Sequence, residues 1–198
     1  MKKVLFLVIV SLLLLSANNA FAIPVQWTSG TGFNNHWYEA ISGSMSWTSA
    51  KNAAAASTYL GMQGYLATIT FSQENAHIWG LSGDQYAYLL GGYQTITNQG
   101  AGSNWAWVTG EPWSYTHWYT TGSEPNDYQG NPEHTLELWT NGYWNDNTDS
   151  NSYYSGANHL GYIVEYDASR TAIPEPATMS LLGFGLLGLF GLKKKTSR

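Results

Sequence analysis

The residues best suited to chemistry are oxygen-bearing side chains between positions 124 and 146 of the 198-residue chain. Carboxylate and amide oxygens are the ligands that a hard cation such as calcium prefers, and calcium takes roughly six to eight of them. The pattern therefore indicates a calcium site, although ordinary acidic surface loops have the same composition and the spacing alone leaves both interpretations open. The oxygen-bearing side chains of this cluster belong to Glu124, Asn126, Asp127, Glu133, Asn145 and Asp146.

Pro125 lies between the first two candidates. A cis peptide bond before this proline would turn the side chains of Glu124 and Asn126 to one side, where both could face the same ion.

The charge pattern excludes nucleic acid as a partner. Residues 23–173 contain twelve acidic side chains but only Lys51 and Arg170 as basic ones. Such a surface repels phosphate backbones and attracts divalent cations. Aromatic residues make up 15% of the chain and charged residues 11%, which is typical of a folded domain. The chain has no cysteine, so disulfides, thiolate metal sites and cysteine nucleophiles are all excluded.

Both ends of the chain have the pattern of targeting segments. Residues 1–22 combine a basic start, an apolar run and small residues at a cleavage site, which predicts a signal peptide. Residues 171–198 contain Pro-Glu-Pro at 174–176, then a glycine-spaced apolar run and a basic end. This tail resembles the PEP-CTERM sorting signal, which implies a transient membrane segment, processing by an exosortase and delivery to the surface or matrix of a Gram-negative bacterium. A permanent tail anchor is the alternative for the tail.

Between these ends, residues 23–170 are predicted to form one α+β domain. Helices are expected over 46–59, with N-caps at Ser46 or Thr48 and an end at Leu60–Gly61, and after a capping box at 70–73. The remaining segments are short aromatic or apolar runs separated by long polar loops, which is typical of short strands whose loops carry the function. The predicted strands cover 33–41, 65–69, 88–90, 105–108, 135–138 and 162–166.

Two motifs in this domain identify a family resemblance. Residues 124–126 read Glu-Pro-Asn and residues 144–146 read Trp-Asn-Asp, the pair of motifs that marks the C-type lectin-like domain. The resemblance extends over about residues 33–167 through landmarks in the same order. These landmarks are His36–Glu39, Trp47–Thr48, Leu66–Ile69, Leu89–Gly91, Trp105–Pro112 and Gly161–Tyr166.

The resemblance implies a fold with two helices, small antiparallel sheets and a long calcium-binding loop region. It implies one calcium ion shared with a sugar, held by Glu124, Asn126, Glu133, Asn145 and Asp146, and it makes Pro125 the cis proline. A second calcium site would need acids after Gly92, and residues 93–95 supply none.

The sequence also departs from the family. Thr135 and Val164 stand where half-cystines are expected, so the stability must come from an aromatic core. Glu133 lies one residue further from Asn126 than in the commonest family spacing. Trp113, Trp118 and Tyr128 are candidates for sugar stacking, with packing as the alternative role for each.

The two resemblances together imply an exported, calcium-dependent lectin, associated with the cell surface or exopolysaccharide. In the family, Glu-Pro-Asn goes with mannose- or glucose-type sugars, so this specificity is expected here. The membrane is a partner only through the tail, and no catalytic residue is predicted. Two rivals remain. One is a calcium-stabilised structural or protein-binding matrix component, and the other is a polysaccharide-processing enzyme, for which Glu111 and Glu137 would be the two carboxylates.

Overall fold

The computed structural model describes residues 23–85, 87–150 and 159–171. The predicted signal peptide, the sorting tail and the 151–158 loop lie outside the described residues. Within the described residues, two helices and nine strands form the domain, and short 3-10 turns interrupt the long loops. The helices are α1 (Trp47–Ala56) and α2 (Ser72–Leu81). The strands are β1 (Val25–Gln26), β2 (Trp37–Ser42), β3 (Thr58–Tyr59), β4 (Met62–Leu66), β5 (Tyr88–Gln94), β6 (Trp105–Trp107), β7 (Thr135–Leu138), β8 (Trp144–Asn147) and β9 (Gly161–Thr171).

The strands form one hydrogen-bonded network whose main path runs β1-β2-β9-β5-β7-β8. The α+β fold class is confirmed, but the sheet is mixed, because β5 and β9 pair in parallel while the other pairs are antiparallel. The long strand β9 joins β2 and β4 to β5 and so closes the domain. Within the described residues, neither helix is long and apolar enough to cross a bilayer.

Helix α1 begins where the sequence predicts, because the Ser46 side chain accepts the N–H of Ser49 at 3.1 Å. Its predicted end is wrong. The helix stops at Ala56, and Leu60–Gly61 forms the turn of the β3–β4 hairpin. The register of this hairpin also moves the predicted 65–69 strand forward to Met62–Leu66.

The predicted capping box of α2 is wrong in register. Phe71 occupies the N-cap position and makes no side-chain cap bond. Instead, the buried Glu74 carboxylate reaches back and accepts the N–H of Thr70 at 2.7 Å and its hydroxyl at 3.2 Å. Glu74, a residue of the first helical turn, thus caps the start of α2 in place of the predicted Gln73.

The core replaces the missing disulfides with aromatic packing. Trp107 and Trp144 are almost fully buried and meet edge to face with ring centroids 5.7 Å apart. At the two positions where half-cystines were expected, Thr135 donates its hydroxyl to the carbonyl of Asn147 at 2.9 Å, and Val164 lies fully buried. A hydrogen bond and an apolar contact thus occupy the places of covalent bridges.

Candidate functional site

Trp144 positions the candidate site. Its indole N–H donates to the Asn75 amide oxygen at 2.7 Å, and its backbone N–H donates to the His117 carbonyl at 2.8 Å. Its carbonyl accepts the Tyr119 N–H at 2.9 Å. These bonds tie the segment before Glu124 to the start of β8 and therefore bring the two motifs together. The second motif lies on strand β8, where the sequence predicted loop.

The Glu124–Pro125 peptide bond is cis. The following backbone turns inward, with Asp127 in the left-handed region at φ 49°, a conformation that Asp adopts more readily than most residues. The N–H groups of Asn126 and Asp127 then both reach the Asp146 carboxylate, at 3.0 to 3.1 Å. This pair of N–H groups binds a carboxylate in the manner of an anion nest.

Glu133 closes the other side of the same loop. Its carboxylate accepts the N–H of Tyr128 at 2.9 Å, and its own N–H donates to the Asp127 carboxylate at 2.8 Å. Asp127, which the sequence analysis left out of the ligand set, thus shapes the loop through hydrogen bonds at both its backbone and its side chain. The only feature of the sequence that could have predicted this role is the position of Asp127 directly after Asn126.

The five predicted ligands do not share one set of contacts. Asp146 contacts both Glu124 and Asn126, and Glu133 lies within electrostatic reach of Glu124. Asn145 instead donates its amide to the buried carboxylate of Glu137 at 2.8 Å. The other Glu137 oxygen lies 3.2 Å from His159 Nδ1. Glu137 is therefore a structural neighbour of the site, a role that the alternating pattern of β7 did not reveal.

The electrostatics of the cluster are those of crowded carboxylates. Burial is the main cause that raises the pKa of Glu124 to about 8, and contact with Asp146 raises it further. Burial also raises the pKa of Glu133 to about 7 against the opposing hydrogen bond from Tyr128. The pKa of Asp146 is raised by burial in spite of its backbone hydrogen bonds. Neither Lys nor Arg forms an ion pair with these acids among the described residues, so no basic side chain offsets their charge when they are ionised.

Two of the predicted ligand oxygens are buried without a hydrogen-bond partner among the described residues. They are Oε2 of Glu124 and Oδ1 of Asn126, on either side of Pro125. Buried acceptors normally have a partner, and leaving one without costs about 1 to 3 kcal/mol. Within the described residues, no group of three His, Asp or Glu side chains is by itself arranged to hold a metal ion. The donor set fits calcium only with the Asn amide oxygens included, a mixture that calcium accepts.

The aromatic candidates for sugar stacking divide into two kinds. Trp113 and Trp118 pack against the core, and Trp118 also forms a backbone bridge to Trp144. Packing is their role in the structure. Tyr128 is 51% exposed beside Glu133, so its ring faces solvent at the edge of the cluster.

Comparison with known proteins identifies the family of the domain and the motif in the tail. The family model for the C-type lectin domain matches residues 43–155, and the PEP-CTERM protein-sorting motif matches residues 172–195. The chain therefore belongs to the C-type lectin domain family and carries a PEP-CTERM sorting motif, as the sequence predicted. Such a motif points to export and surface association in bacteria.

One curated relative and two solved structures illustrate the range of the family. Halomucin from Haloquadratum walsbyi is 31% identical over 166 residues, which is 76% of this chain but only 2% of halomucin. The C-type lectin CEL-I from Cucumaria echinata is 21% identical, with a TM-score of 0.54 over 73% of this chain and 97% of its own. A calcium-independent type II antifreeze protein is 21% identical, with a TM-score of 0.52 over 79% of this chain and 100% of its own. The two structural likenesses show the fold alone.

Proposed function

We propose that this chain is an exported carbohydrate-binding protein whose sugar site is built around one calcium ion. The ion would be held by Glu124, Asn126, Glu133, Asn145 and Asp146, with the backbone carbonyl of Asp146 as a further ligand. The observation that carries the proposal is the pair of buried, unpartnered oxygens of Glu124 and Asn126 beside the Asp146 carboxylate. A cation at this point would satisfy both oxygens and neutralise the crowded acids.

Bound calcium would supply coordination positions for two vicinal hydroxyls of a sugar. The protein's own groups would orient that sugar. The Glu124 and Glu133 carboxylates would accept hydrogen bonds from the hydroxyls, while the amides of Asn126 and Asn145 would donate. A Glu-Pro-Asn arrangement favours mannose- or glucose-type ligands under the family resemblance stated above. Because a single site of this kind binds weakly, useful adhesion requires many copies displayed on one surface.

The tail supports a location for this activity. A PEP-CTERM motif at residues 172–195 implies recognition by an exosortase-type enzyme. We place the mature protein on the cell surface or in the exopolysaccharide matrix of a Gram-negative bacterium, with the membrane as a partner only through the tail. Its ligand would then be an exopolysaccharide or a cell-surface glycan.

A calcium-stabilised structural component without sugar binding is the second candidate. It is favoured by the engagement of Asn145 with Glu137, which occupies one amide that a sugar would need. The family fold also occurs in a protein described as an antifreeze protein, so the fold by itself does not imply sugar binding. The enzyme rival has weaker support, because Glu111 bonds within its own turn and Glu137 is fully buried.

A glycan array probed with the purified chain in calcium and in chelator tests the proposal. Calcium-dependent binding to mannose- or glucose-type glycans supports it. Binding to no glycan, together with stabilisation by calcium, would favour the structural role. Release of products from the host exopolysaccharide would favour the enzyme.

A further inference from the structure

One pocket of the domain lies away from the candidate calcium site. It has a volume of about 530 Å³, within the range of about 300 to 1,000 Å³ that is usual for small-molecule sites. Helix α1, strand β4 and the end of β9 form its walls, and none of its lining residues belongs to the 124–147 segment. Its lining combines apolar and aromatic residues, amides and a hydroxyl, namely Leu66, Val108, Tyr65, Asn52, Gln63 and Ser169.

The only two basic side chains between residues 23 and 171, Lys51 and Arg170, both line this pocket. They come from elements far apart in the sequence, and the twelve acids of the same region are absent from the lining. Among the described residues, neither cation forms an ion pair with a carboxylate. Asp167 lies within electrostatic reach of Arg170 but does not line the pocket, so it offsets only part of this charge. A bound anion would relieve the repulsion that remains between the two cations.

Both cations are held in place by aromatic rings. The Arg170 guanidinium lies 4.6 Å from the centre of the Tyr65 ring and donates to the Thr109 carbonyl at 3.2 Å. The Lys51 ammonium lies 5.2 Å from the centre of the Trp47 ring. Because Arg170 has five N–H donors and spends one on Thr109, donors remain for a ligand.

We propose that this pocket binds the carboxylate of a uronic acid residue in an acidic saccharide, independently of calcium. Two cations match one carboxylate, whereas the acidic remainder of the domain repels long, densely charged polyanions. The amides and the hydroxyl suit sugar hydroxyl groups, and the apolar floor suits the C–H face of a pyranose ring. This inference goes beyond the proposed function and does not depend on it.

The test is calorimetric titration of the full-length chain, solubilised in mild detergent and kept in chelator, with tri-galacturonate. The fully methyl-esterified trisaccharide is the matched neutral ligand, and acetate and inorganic phosphate are simple-anion ligands. We expect tri-galacturonate to bind at least about tenfold more tightly than the ester or either simple anion. A tenfold difference in Kd corresponds to about one charge-assisted hydrogen bond.

Lys51→Gln and Arg170→Gln should each weaken binding about tenfold. Lys51→Arg, which keeps the positive charge, should retain most of the affinity of the native chain. Asp84→Asn, at an exposed turn outside the pocket, is the matched control and should leave binding unchanged. Melting curves confirm that each variant is folded. Equal binding of acid and ester, equal binding of the simple anions, or full binding by a folded Lys51→Gln, Arg170→Gln double variant would each overturn the proposal.

Discussion

Asn126 donates its backbone N–H to both carboxylate oxygens of Asp146, at 3.0 and 3.1 Å, and so links the two sequence motifs of the site directly. The link makes the conformation of the 124–127 loop dependent on the charge of a strand residue. Any ligand that interacts with Asp146 therefore also acts on the loop. The first prediction follows from this dependence.

Calcium should stabilise the isolated domain, residues 23–170. Binding to the folded state alone raises the free energy of unfolding by about 2.7 kcal/mol at a hundredfold excess over Kd. Differential scanning fluorimetry in millimolar calcium and in chelator measures the shift in Tm. Asp146→Ala should abolish the shift, while Asp84→Asn, an exposed acid outside the cluster, should retain it. Identical melting curves with and without calcium for the native domain would refute the metal site.

Sugar preference should depend on which partner at Pro125 carries the charge. The double variant Glu124→Gln, Asn126→Asp exchanges the carboxylate acceptor and the amide donor between the two positions. It keeps the size of both side chains and an oxygen for calcium at each. We expect calcium stabilisation to persist, mannose binding to weaken about tenfold and some galactose binding to appear, because each mismatched polar group costs about 1 to 3 kcal/mol. Glycan-array and titration measurements check this. A native preference for galactose, or an unchanged preference in the double variant, would show that these hydrogen bonds do not select the sugar.

Deleting residues 174–198 should change the location of the protein. The sorting motif occupies most of this segment, and its loss removes the feature that an exosortase recognises. We expect the truncated chain in the periplasm or the medium and the full chain on the surface, measured by cell fractionation. Replacing only the basic residues 193–195 is a milder companion variant. Equal surface association of truncated and full chains would exclude the tail as the sorting element.

Stability should fall as the pH rises from about 5 to 8 because of a pair formed by the half-buried His36, directly before β2, and the buried Glu165 on β9. His36 Nδ1 lies 2.6 Å from the buried Glu165 carboxylate, and its Nε2 lies 3.7 Å from Asp167. The Tyr38 hydroxyl faces Glu165 at 3.4 Å and donates to Glu74 at 2.6 Å.

Burial raises the pKa of Glu165 to about 7, although the hydrogen bond from His36 opposes this rise. Burial lowers the pKa of His36, but the bond to Glu165 and the charges of the nearby acids outweigh it, so that this pKa is raised overall.

Both shifts act in the same direction. A folded-state pKa above the unfolded value means that the folded protein holds more protons, so its stability is full at low pH and is lost as the pH rises through the folded pKa. Chemical denaturation in chelator at several pH values measures the trend. Glu165→Gln, which keeps an acceptor for the Thr68 N–H, should make the fall shallower. The fall that remains would come from Glu124 and Glu133, whose pKa values are also raised. A profile that rises toward pH 8 in the native domain would contradict the argument.

Trp144→Phe should destabilise the domain by more than the small loss of buried apolar area would suggest. The change removes the donor to the Asn75 amide oxygen, and Asn75 is buried. An unsatisfied buried acceptor costs about 1 to 3 kcal/mol, measurable as a lower denaturation midpoint. Tyr143→Phe, at the neighbouring and more exposed ring, should stay within about 0.5 kcal/mol. Equal midpoints for the native domain and Trp144→Phe would show that this bond contributes no net stability.

Local pattern predicted much of the fold. The Ser46 cap followed by alanines specified helix α1, and the alternating run 135–138 specified β7 with its observed bounds, because these signals come from neighbouring residues. The short strands β1, β3 and β8 were not predicted. They contain two to four residues each, and their pairing partners rather than their own sequences define them.

The sequence by itself determined the family, the acidic character of the domain and the identity of the oxygen-rich residues near position 124. Tertiary structure alone decided how these residues meet. Asp149 accepts the backbone N–H and hydroxyl of Thr48 at 2.6 Å and so helps to cap a helix 101 positions earlier. Lys51 and Arg170 meet at one pocket through the same kind of long-range packing. Such contacts depend on chain topology and burial, which act between segments far apart, whereas spacing and propensity report only on neighbours in the chain.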